Sequence, residues 1–182
     1  MEILAFTDFH GNQEAFRRAK ERIADEKPDL VIVAGDIINY DFNAAKRQLG
    51  DLASVGPSVY FVPGNMDSGC LGVWIGQGNV HGLHGRCEYC KGVALIGLGG
   101  SPHGPFRTIF EFSEEEAAEL LNKALKDYRR DKLILVSHCP PKDKARPRLQ
   151  RRTCRKHLSP KVRRGESARA SCLGAHSRST RN

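Results

Sequence analysis

The stretch Leu30–Asp36, LVIVAGD, is an apolar run that ends abruptly in a glycine and a carboxylate. Five aliphatic residues in a row are typical of a strand that is buried on both faces. Three other apolar runs also end at polar residues or glycine: ILAFT before Asp8, VYFVP before Gly64 and LILVS before His138. Because ligands of open α/β sheets bind at the carboxyl ends of the strands, we expect these four strand ends to form one polar site.

The first third of the chain alternates between predicted strands and predicted helices. We expect strands at Ile3–Thr7, 30–34 and Val59–Val62, and helices from Gln13 to about Asp25 and from about Asn43 to Ala53. Apolar residues recur at helical spacing in the first helix, and Asn12 can cap it. A strand, a helix and a second strand make a parallel crossover, so the sequence predicts a doubly wound β-α-β-α-β arrangement.

The middle of the chain has a different pattern. Residues 68–105 are rich in glycine and hold only short apolar runs, which indicate hairpins rather than further crossovers. The sequence SEEE at 113–116 is a capping box that predicts a helix to about Tyr128. Leu133–Val136 is the last predicted strand.

Three histidines and two cysteines of this region have simple interpretations. His81, His84 and His103 fall in the glycine-rich loops and are expected to be solvated, with a substrate contact as the alternative for His103. Cys87 and Cys90 have the spacing of half a zinc knuckle, but no second pair follows. We therefore interpret these cysteines as two thiols in a hairpin, and Trp74 as a packing residue.

The positive charge of the protein is confined to its last part. The 182 residues carry a formal net charge of +8. Residues 1–141 hold 15 Lys and Arg against 19 Asp and Glu, whereas residues 142–182 hold 14 against 2. We predict one globular domain over residues 1–141, followed by a basic segment over 142–182 with the composition of a disordered tail.

Other features indicate a soluble cytoplasmic protein with no membrane partner. No stretch reaches the roughly 20 apolar residues that a membrane-spanning helix needs. The chain starts directly with a predicted strand rather than with a secretion signal. Six cysteines scattered through a core of ordinary composition are typical of reduced thiols.

The polar residues at the strand ends are of the kind that binds metal ions. Carboxylates, an amide oxygen and imidazoles without a thiolate suit Mn, Fe or Zn, rather than a structural zinc site. Asp8 and His10 share a face of an extended turn, and the two oxygens of Asp36 can bridge two cations. Two ions about 3.5–4 Å apart would polarise a phosphoryl oxygen and stabilise the leaving oxygen of a phosphate ester. The alternative is that these are ordinary turn residues, for which Asp, Asn and Gly are common.

Four motifs carry this interpretation further: Asp8-Phe9-His10, Gly35-Asp36, Gly64-Asn65-x-Asp67 and Ser137-His138-Cys139-Pro140-Pro141. In order and spacing they resemble four of the five blocks of the calcineurin-like metallophosphoesterases. The resemblance implies an α/β fold, a four-layer α-β-β-α sandwich, with two divalent metal ions at the strand ends. By this resemblance Asp8 and His10 bind the first ion and Asp36 bridges the two. Asn65 and His138 bind the second.

The chain departs from the family pattern at two places. Met66 stands where the family commonly has a histidine that contacts the phosphate, and a thioether cannot donate a proton. The fifth block, Gly-His-x-His, is absent, since His157 and His176 have no histidine two residues away. We therefore expect a sandwich that is incomplete at its C terminus. We also favour a shift of the reading frame in the coding DNA after codon 141 over a native tail.

These observations lead to two hypotheses. The first is a hydrolase, a metal-dependent phosphoesterase acting on a phosphate mono- or diester, with manganese favoured over iron and zinc and with Asp36, Asn65 and Asp67 as catalytic residues. Asp67 would orient a partner rather than bind metal. Its substrate would be a phosphorylated small molecule, a nucleotide or a nucleic acid, and the sequence does not choose between them. The second is a catalytically impaired relative that binds nucleic acid through its basic tail, although that tail lacks aromatic residues for base stacking.

Overall fold

The computed structural model describes residues 1–129 and 132–140. Its elements follow in the order β1 (Ile3–Phe6), α1 (Gln13–Glu26), β2 (Leu30–Ala34), α2 (Phe42–Ala53), β3 (Val59–Val62), α3 (Cys70–Val73), β4 (Gly76–Gln77), β5 (Val80–Gly82), β6 (Cys87–Cys90), β7 (Val93–Leu98), β8 (Ser101–Pro102), β9 (Glu111–Phe112), α4 (Glu114–Leu125) and β10 (Lys132–Ser137). The predicted basic segment and the proposed frame shift lie outside the described residues, so the predicted domain boundary stays a prediction.

The first sheet has the strand order β1-β2-β3-β5-β4. Strands β1, β2 and β3 pair in parallel, which confirms the doubly wound arrangement predicted for the first part of the chain. β5 adds to β3 in parallel, and the short β4 closes the edge by pairing antiparallel with β5. The carboxyl ends of β1, β2 and β3 therefore all lie at one edge of this sheet.

Helices α1 and α2 cover the outer face of the first sheet. The side chain of Asn12 accepts a hydrogen bond from Ala15 N at 3.1 Å, and Asp41 caps α2 in the same way. These side chains satisfy amide groups that a helix leaves unpaired at its start. The apolar stripe of each helix packs on the sheet and forms a buried cluster with it. This cluster includes Phe16, Ile23, Leu49 and Leu52 of the helices and Val31, Val33 and Phe61 of the strands.

The second sheet has the order β10-β7-β6. β6 and β7 form an antiparallel hairpin as predicted, while β10 pairs with β7 in parallel. The prediction of hairpins for the middle of the chain is therefore only partly correct, because β5 and the pair β8–β9 join parallel partners. Such pairings depend on distant strands and leave no local turn signal.

The two sheets face each other across a second apolar cluster. Successive side chains of a strand point to opposite faces, so Leu30 and Ile32 face away from the helices and toward the second sheet. They pack there with residues of both sheets, among them Tyr60, Val62, Val93, Leu95 and Val136. α4 packs against β7 and forms the outer layer on the far side. The layers are thus α-β-β-α, which confirms the predicted α/β sandwich.

Helix α4 begins with the predicted capping box, in which Ser113 and Glu116 exchange hydrogen bonds between side chain and backbone. It ends at Leu125, earlier than predicted. The following amide groups of Lys126, Asp127 and Tyr128 bond to carbonyl groups three residues back, which tightens the last turn. None of the described helices is long and apolar enough to cross a membrane.

Candidate metal centre

The polar strand ends meet as four loops, which we call loop 1 (residues 7–12), loop 2 (35–41), loop 3 (63–69) and loop 4 (138–140). Loops 1 and 2 are joined by their backbones: Asp8 N donates to Gly35 O at 3.0 Å, and His10 N donates to Asp36 O at 2.8 Å. Asp8, His10 and Asp36 all have positive φ angles, of 57°, 48° and 51°. Such left-handed residues are uncommon and concentrate at functional sites, where the surroundings hold them in place.

Asp36 lies at the centre of the cluster. Its Oδ2 atom is 3.5 Å from Nε2 of His10 and 3.7 Å from Nε2 of His138. Its other oxygen, Oδ1, accepts a hydrogen bond from Met66 N at 3.0 Å. The residue is only 5% exposed. One carboxylate oxygen therefore faces two imidazoles, one from loop 1 and one from loop 4.

The Nδ1 atoms of His10 and His138 are each hydrogen-bonded to an oxygen acceptor. Nδ1 of His138 is 2.9 Å from Ala34 O, and Nδ1 of His10 is 3.0 Å from Oδ1 of Asn39. Since carbonyl oxygens only accept, each Nδ1 carries the proton and donates it. The Nε2 lone pair of each ring is left facing Asp36. A metal-binding histidine is commonly oriented by such a partner.

The resulting set of atoms is rich in lone pairs and poor in protons. Nε2 of His138 lies 3.0 Å from Oδ1 of Asn65, and ligand atoms of Asp8, Asp36 and His138 all lie within 4.8 Å of one another. In the neutral ring with Nδ1 protonated, the lone pair of Nε2 of His138 faces the oxygens around it. A cation would satisfy these converging lone pairs, so the residues fit divalent metal ions.

The two halves of the cluster differ in exposure. The side chains of Asp8 and His10 are 48% and 43% exposed, whereas those of Asp36 and His138 are 7% and 8% exposed. Thr7 Oγ1 donates to Oδ2 of Asp8 at 2.6 Å and orients the exposed carboxylate. A ligand from solvent therefore reaches the cluster on the side of Asp8 and His10.

Two glycines allow the loops to come this close. A Cβ atom on Gly64 would overlap the carboxylate and backbone nitrogen of Asp36. A Cβ atom on Gly35, whose φ is +87°, would overlap the ring of His138. The glycines of the second and third motifs are thus required by close packing around Asp36 and His138.

Asp67 lies beside the cluster but is turned away from it. Its carboxylate accepts hydrogen bonds from the backbone nitrogens of Ile37, Ile38 and Gly64 at 2.8–3.0 Å. Burial raises the pKa of Asp67, the backbone donors oppose this effect, and the charge of Asp36 adds to it. The contacts of both oxygens join loop 2 to loop 3.

The structure thus brings together the five predicted ligands Asp8, His10, Asp36, Asn65 and His138. Sequence reasoning missed two residues that orient them, Asn39 and Thr7. Asn39 follows Asp36 closely in the same loop, but no pattern in the sequence tells an orienting amide from an ordinary turn residue.

The remaining histidines only partly follow their prediction. His103 is exposed as expected, but His84 is half-buried: its Nδ1 accepts from Gly99 N at 2.9 Å, and its ring packs against Phe110. Burial, together with the charge of Arg86, lowers the pKa of His84 to about 4. His81 is also half-buried and stacks on Tyr60. The error has a simple cause, since glycine-rich segments can run through packed regions.

The cysteine and tryptophan predictions agree with the structure. Cys87 and Cys90 both lie on β6 of the hairpin, and their odd spacing puts them on opposite faces, with Cys90 against the inter-sheet cluster. Two thiols so placed cannot hold one ion. Trp74 packs against the rings of Phe42 and Phe61.

The α-β-β-α sandwich with such a cluster at its strand ends is the arrangement that the resemblance to the metallophosphoesterases implied. The sequence model of the family described as calcineurin-like phosphoesterase matches residues 1–173. The chain belongs to this family, whose members are hydrolases that use divalent metals. The match extends past the predicted domain boundary at residue 141.

Comparison with known proteins identifies a relative in sequence and two crystal structures with a similar fold. The chain is 30% identical over 145 residues to the uncharacterized protein MJ1162 of Methanocaldococcus jannaschii. The match covers 78% of this chain and 62% of MJ1162. The chain therefore spans less than two thirds of the length of MJ1162. The crystal structure of TT1561 of Thermus thermophilus superposes with a TM-score of 0.61 at 17% identity, over 73% of this chain and 65% of the other. A second crystal structure gives 0.61 at 16% identity, over 77% and 69%. At these identities the likeness concerns the fold alone.

Proposed function

We propose that this protein hydrolyses phosphate mono- or diesters at a dinuclear site held by Asp8, His10, Asp36, Asn65 and His138, with manganese as the favoured metal. When bound, the divalent ions would neutralise charge on the phosphoryl oxygens and lower the pKa of a bound water. The substrate would be a phosphorylated small molecule, a nucleotide or a nucleic acid.

The position of Asp36 is the observation that carries the proposal. Its Oδ2 atom faces the Nε2 atoms of His10 and His138 at 3.5 and 3.7 Å. Asp8 completes the group on the side of His10, and Asn65 completes it on the side of His138. This arrangement supports two adjoining sites that share one carboxylate.

The protein's own residues would orient the ligands and admit the substrate. Asn39 and Ala34 hold the protons of the two imidazoles at Nδ1, so that both Nε2 atoms stay free. Asp67 fixes loop 3 against loop 2 and so positions Asn65 relative to Asp36. We therefore keep Asp36 and Asn65 as the residues nearest the chemistry and assign Asp67 a positioning role.

The identity of residue 66 restricts the kind of leaving group. A thioether cannot protonate a departing oxygen. Residue 66 therefore cannot supply a proton to the leaving group. This favours esters whose leaving group is a weak base, such as aryl esters, over esters of simple alcohols.

Membership of a hydrolase family favours this function over the nucleic-acid-binding alternative, which depends on residues outside the described part of the chain. A cytoplasmic location stays a prediction from the sequence.

Metal stoichiometry and turnover test the proposal together. We expect equilibrium dialysis to give two manganese ions per chain, and bis(p-nitrophenyl) phosphate to be hydrolysed in the presence of manganese. Asp36→Ala should lower kcat/KM by at least about a hundredfold, because it removes a ligand of both ions. Asp25→Ala, a change near the end of α1, is the matched control and should leave the rate unchanged. Equal rates for wild type and Asp36→Ala would overturn the proposed function.

A further inference from the structure

We propose that Tyr40 contacts the substrate and selects phosphoesters that carry a flat aromatic group next to the phosphate. This inference rests on the proposed function and names the substrate class of the same site. It follows from the position, exposure and backbone conformation of Tyr40.

Tyr40 lies in loop 2, whose residues Asp36 and Asn39 contact the histidines of the metal centre. It directly follows Asn39, whose Oδ1 atom holds Nδ1 of His10 at 3.0 Å. Its own backbone nitrogen donates to Met66 O at 3.1 Å, and Met66 is the neighbour of Asn65 in loop 3. The backbone of Tyr40 is therefore tied both to the residue that orients His10 and to the loop that supplies Asn65.

The side chain of Tyr40 is left free for an external partner. The residue is 58% exposed. Its hydroxyl makes no hydrogen bond to any residue within 1–129 or 132–140. A large aromatic side chain that is exposed at the edge of a cluster of ligands is available for contact with a bound molecule.

The backbone of Tyr40 has a conformation that is unfavourable for a tyrosine. Its φ angle is 67°, a left-handed conformation that glycine and asparagine adopt with less cost than an aromatic residue. The bond to Met66 O and the adjoining helix cap at Asp41 hold the residue in this state. Positive φ occurs in this chain at an ordinary helix cap, Lys27, and also at Asp8, His10 and Asp36 of the metal centre, and Tyr40 lies in the same loop as Asp36.

A second exposed apolar residue lies on another segment that is hydrogen-bonded to loop 3. Phe110 N donates to Asn65 O at 3.1 Å, and the preceding residue, Ile109, is 52% exposed. Consecutive carbonyl groups of Asn65 and Met66 thus anchor two segments that carry exposed apolar side chains. Exposed apolar side chains of this kind suit a flat ring better than a sugar or an inorganic phosphate.

This substrate class agrees with the chemistry expected at residue 66. The leaving group of an aryl ester is an aryl oxide ion, which is a weak base. It does not need the proton that Met66 cannot supply. A nucleobase offers the same flat ring at a greater distance from phosphorus. Stacking on Tyr40 is the chemistry that both sources share.

Binding of non-hydrolysable ligands tests the inference without turnover. Isothermal titration of the manganese-loaded protein would compare phenylphosphonate with methylphosphonate, and the methylenephosphonate analogue of adenosine monophosphate with that of ribose 5-phosphate. We compare the ratio of the two affinities within each pair. Stacking of the ring should raise the affinity of the aromatic member about three- to tenfold over its partner in one of the pairs. The first pair reports an aryl group and the second a nucleobase.

Substitutions separate stacking from a structural role. Tyr40→Gly should bring the ratio to about one and should also raise Tm, because glycine adopts the positive φ without strain. Tyr40→Phe should keep the ratio. Tyr89→Ala, at a partly exposed tyrosine on β6, is the control and should not change it.

The inference is overturned if neither ratio exceeds one in the wild type, or if Tyr40→Gly leaves the ratio unchanged. A protein that binds the aromatic ligands through Tyr40 but does not hydrolyse any aryl ester with manganese would instead contradict the proposed function. The two failures are therefore distinguishable.

Discussion

The Oδ1 atom of Asp67 lies 2.9 Å from the backbone nitrogen of Ile37, which belongs to a different strand-end loop. The carboxylate also accepts from Ile38 N and Gly64 N, and the residue is fully buried. Asp67 thus connects the loop that carries Asp36 with the loop that carries Asn65. Its role is to hold these two ligands in register.

Replacing Asp67 should lower the stability of the protein. Asp67→Ala leaves three backbone N–H groups without their acceptor, which we expect to reduce the free energy of unfolding by about 3 kcal/mol. Urea denaturation of the metal-free protein measures this loss. Asp41→Ala removes only a helix cap and should cost about 1 kcal/mol, so it serves as the reference. A smaller loss for Asp67→Ala than for Asp41→Ala would contradict the assignment.

Adding one methyl group at Gly64 should disrupt the metal centre. Its Cβ atom would overlap the carboxylate of Asp36, so that the carboxylate must move. We expect Gly64→Ala to weaken manganese binding at least about tenfold, as loss of ligand geometry does. Gly50→Ala is the matched control, because nothing lies within 4 Å of a Cβ atom there. Equal manganese affinity in the two variants would show that Asp36 tolerates the displacement.

Asn39 should contribute to metal affinity without binding metal itself. Its Oδ1 atom accepts the proton of His10 and sets the orientation of that ring. Asn39→Ala should therefore weaken manganese binding by about 10–100-fold, while Asn39→Asp, which keeps an acceptor, should retain most of it. Asn43→Ala, on the exposed first turn of α2, is expected to have no effect. Equilibrium dialysis distinguishes these outcomes, and an unchanged affinity for Asn39→Ala argues against the orienting role.

Stability should fall in mild acid because of His84. Burial lowers the pKa of this imidazole to about 4 in the folded protein, against about 6.5 in the unfolded chain. Between these two pH values the imidazole of His84 is protonated in the unfolded state but neutral in the folded state. The contribution of His84 to the free energy of unfolding is therefore complete above pH 6.5 and is lost as the pH falls toward 4.

The comparison is made between wild type and His84→Gln. From pH 6.5 to pH 4 the wild type should lose about 2–3 kcal/mol more of its unfolding free energy than the variant. Denaturant titrations at several pH values give this difference, and His103→Gln, at an exposed site, should follow the wild type. Parallel pH profiles for wild type and His84→Gln would mean that His84 is not held neutral by the fold.

Much of the architecture was predictable because its signals are local. The apolar run at 30–34, the cap at Asn12 and the capping box at 113–116 each act within a few residues, and all three are present in the structure. The strand-end motifs also predicted which residues gather at one place. The carboxyl ends of the parallel strands β1, β2 and β3 share an edge, and His138 joins them from β10 of the second sheet.

The less local features were predicted less well. The end of α4 depends on three backbone hydrogen bonds that replace the helical pattern after Leu125. The pairing of β5 with β3 depends on a strand from an earlier part of the chain. His84 was expected in solvent because its neighbours are glycines, but packing against Phe110 buries it.

By itself, the sequence determined the layered α/β fold, the family and the residues Asp8, His10, Asp36, Asn65 and His138 as candidate ligands. The alternation of strands and helices and the candidate ligands follow from hydrophobic periodicity and strand-end chemistry, which depend on neighbours in the chain. The layered sandwich and the family follow from the resemblance of the four motifs to the metallophosphoesterases. Only the tertiary structure decided how these residues are supported: that Asn39 orients His10, that Asp67 ties two loops together and that Tyr40 stays exposed in loop 2. These are contacts between loops brought together by two packed sheets, and their direction depends on backbone angles and packing that no short stretch of sequence specifies.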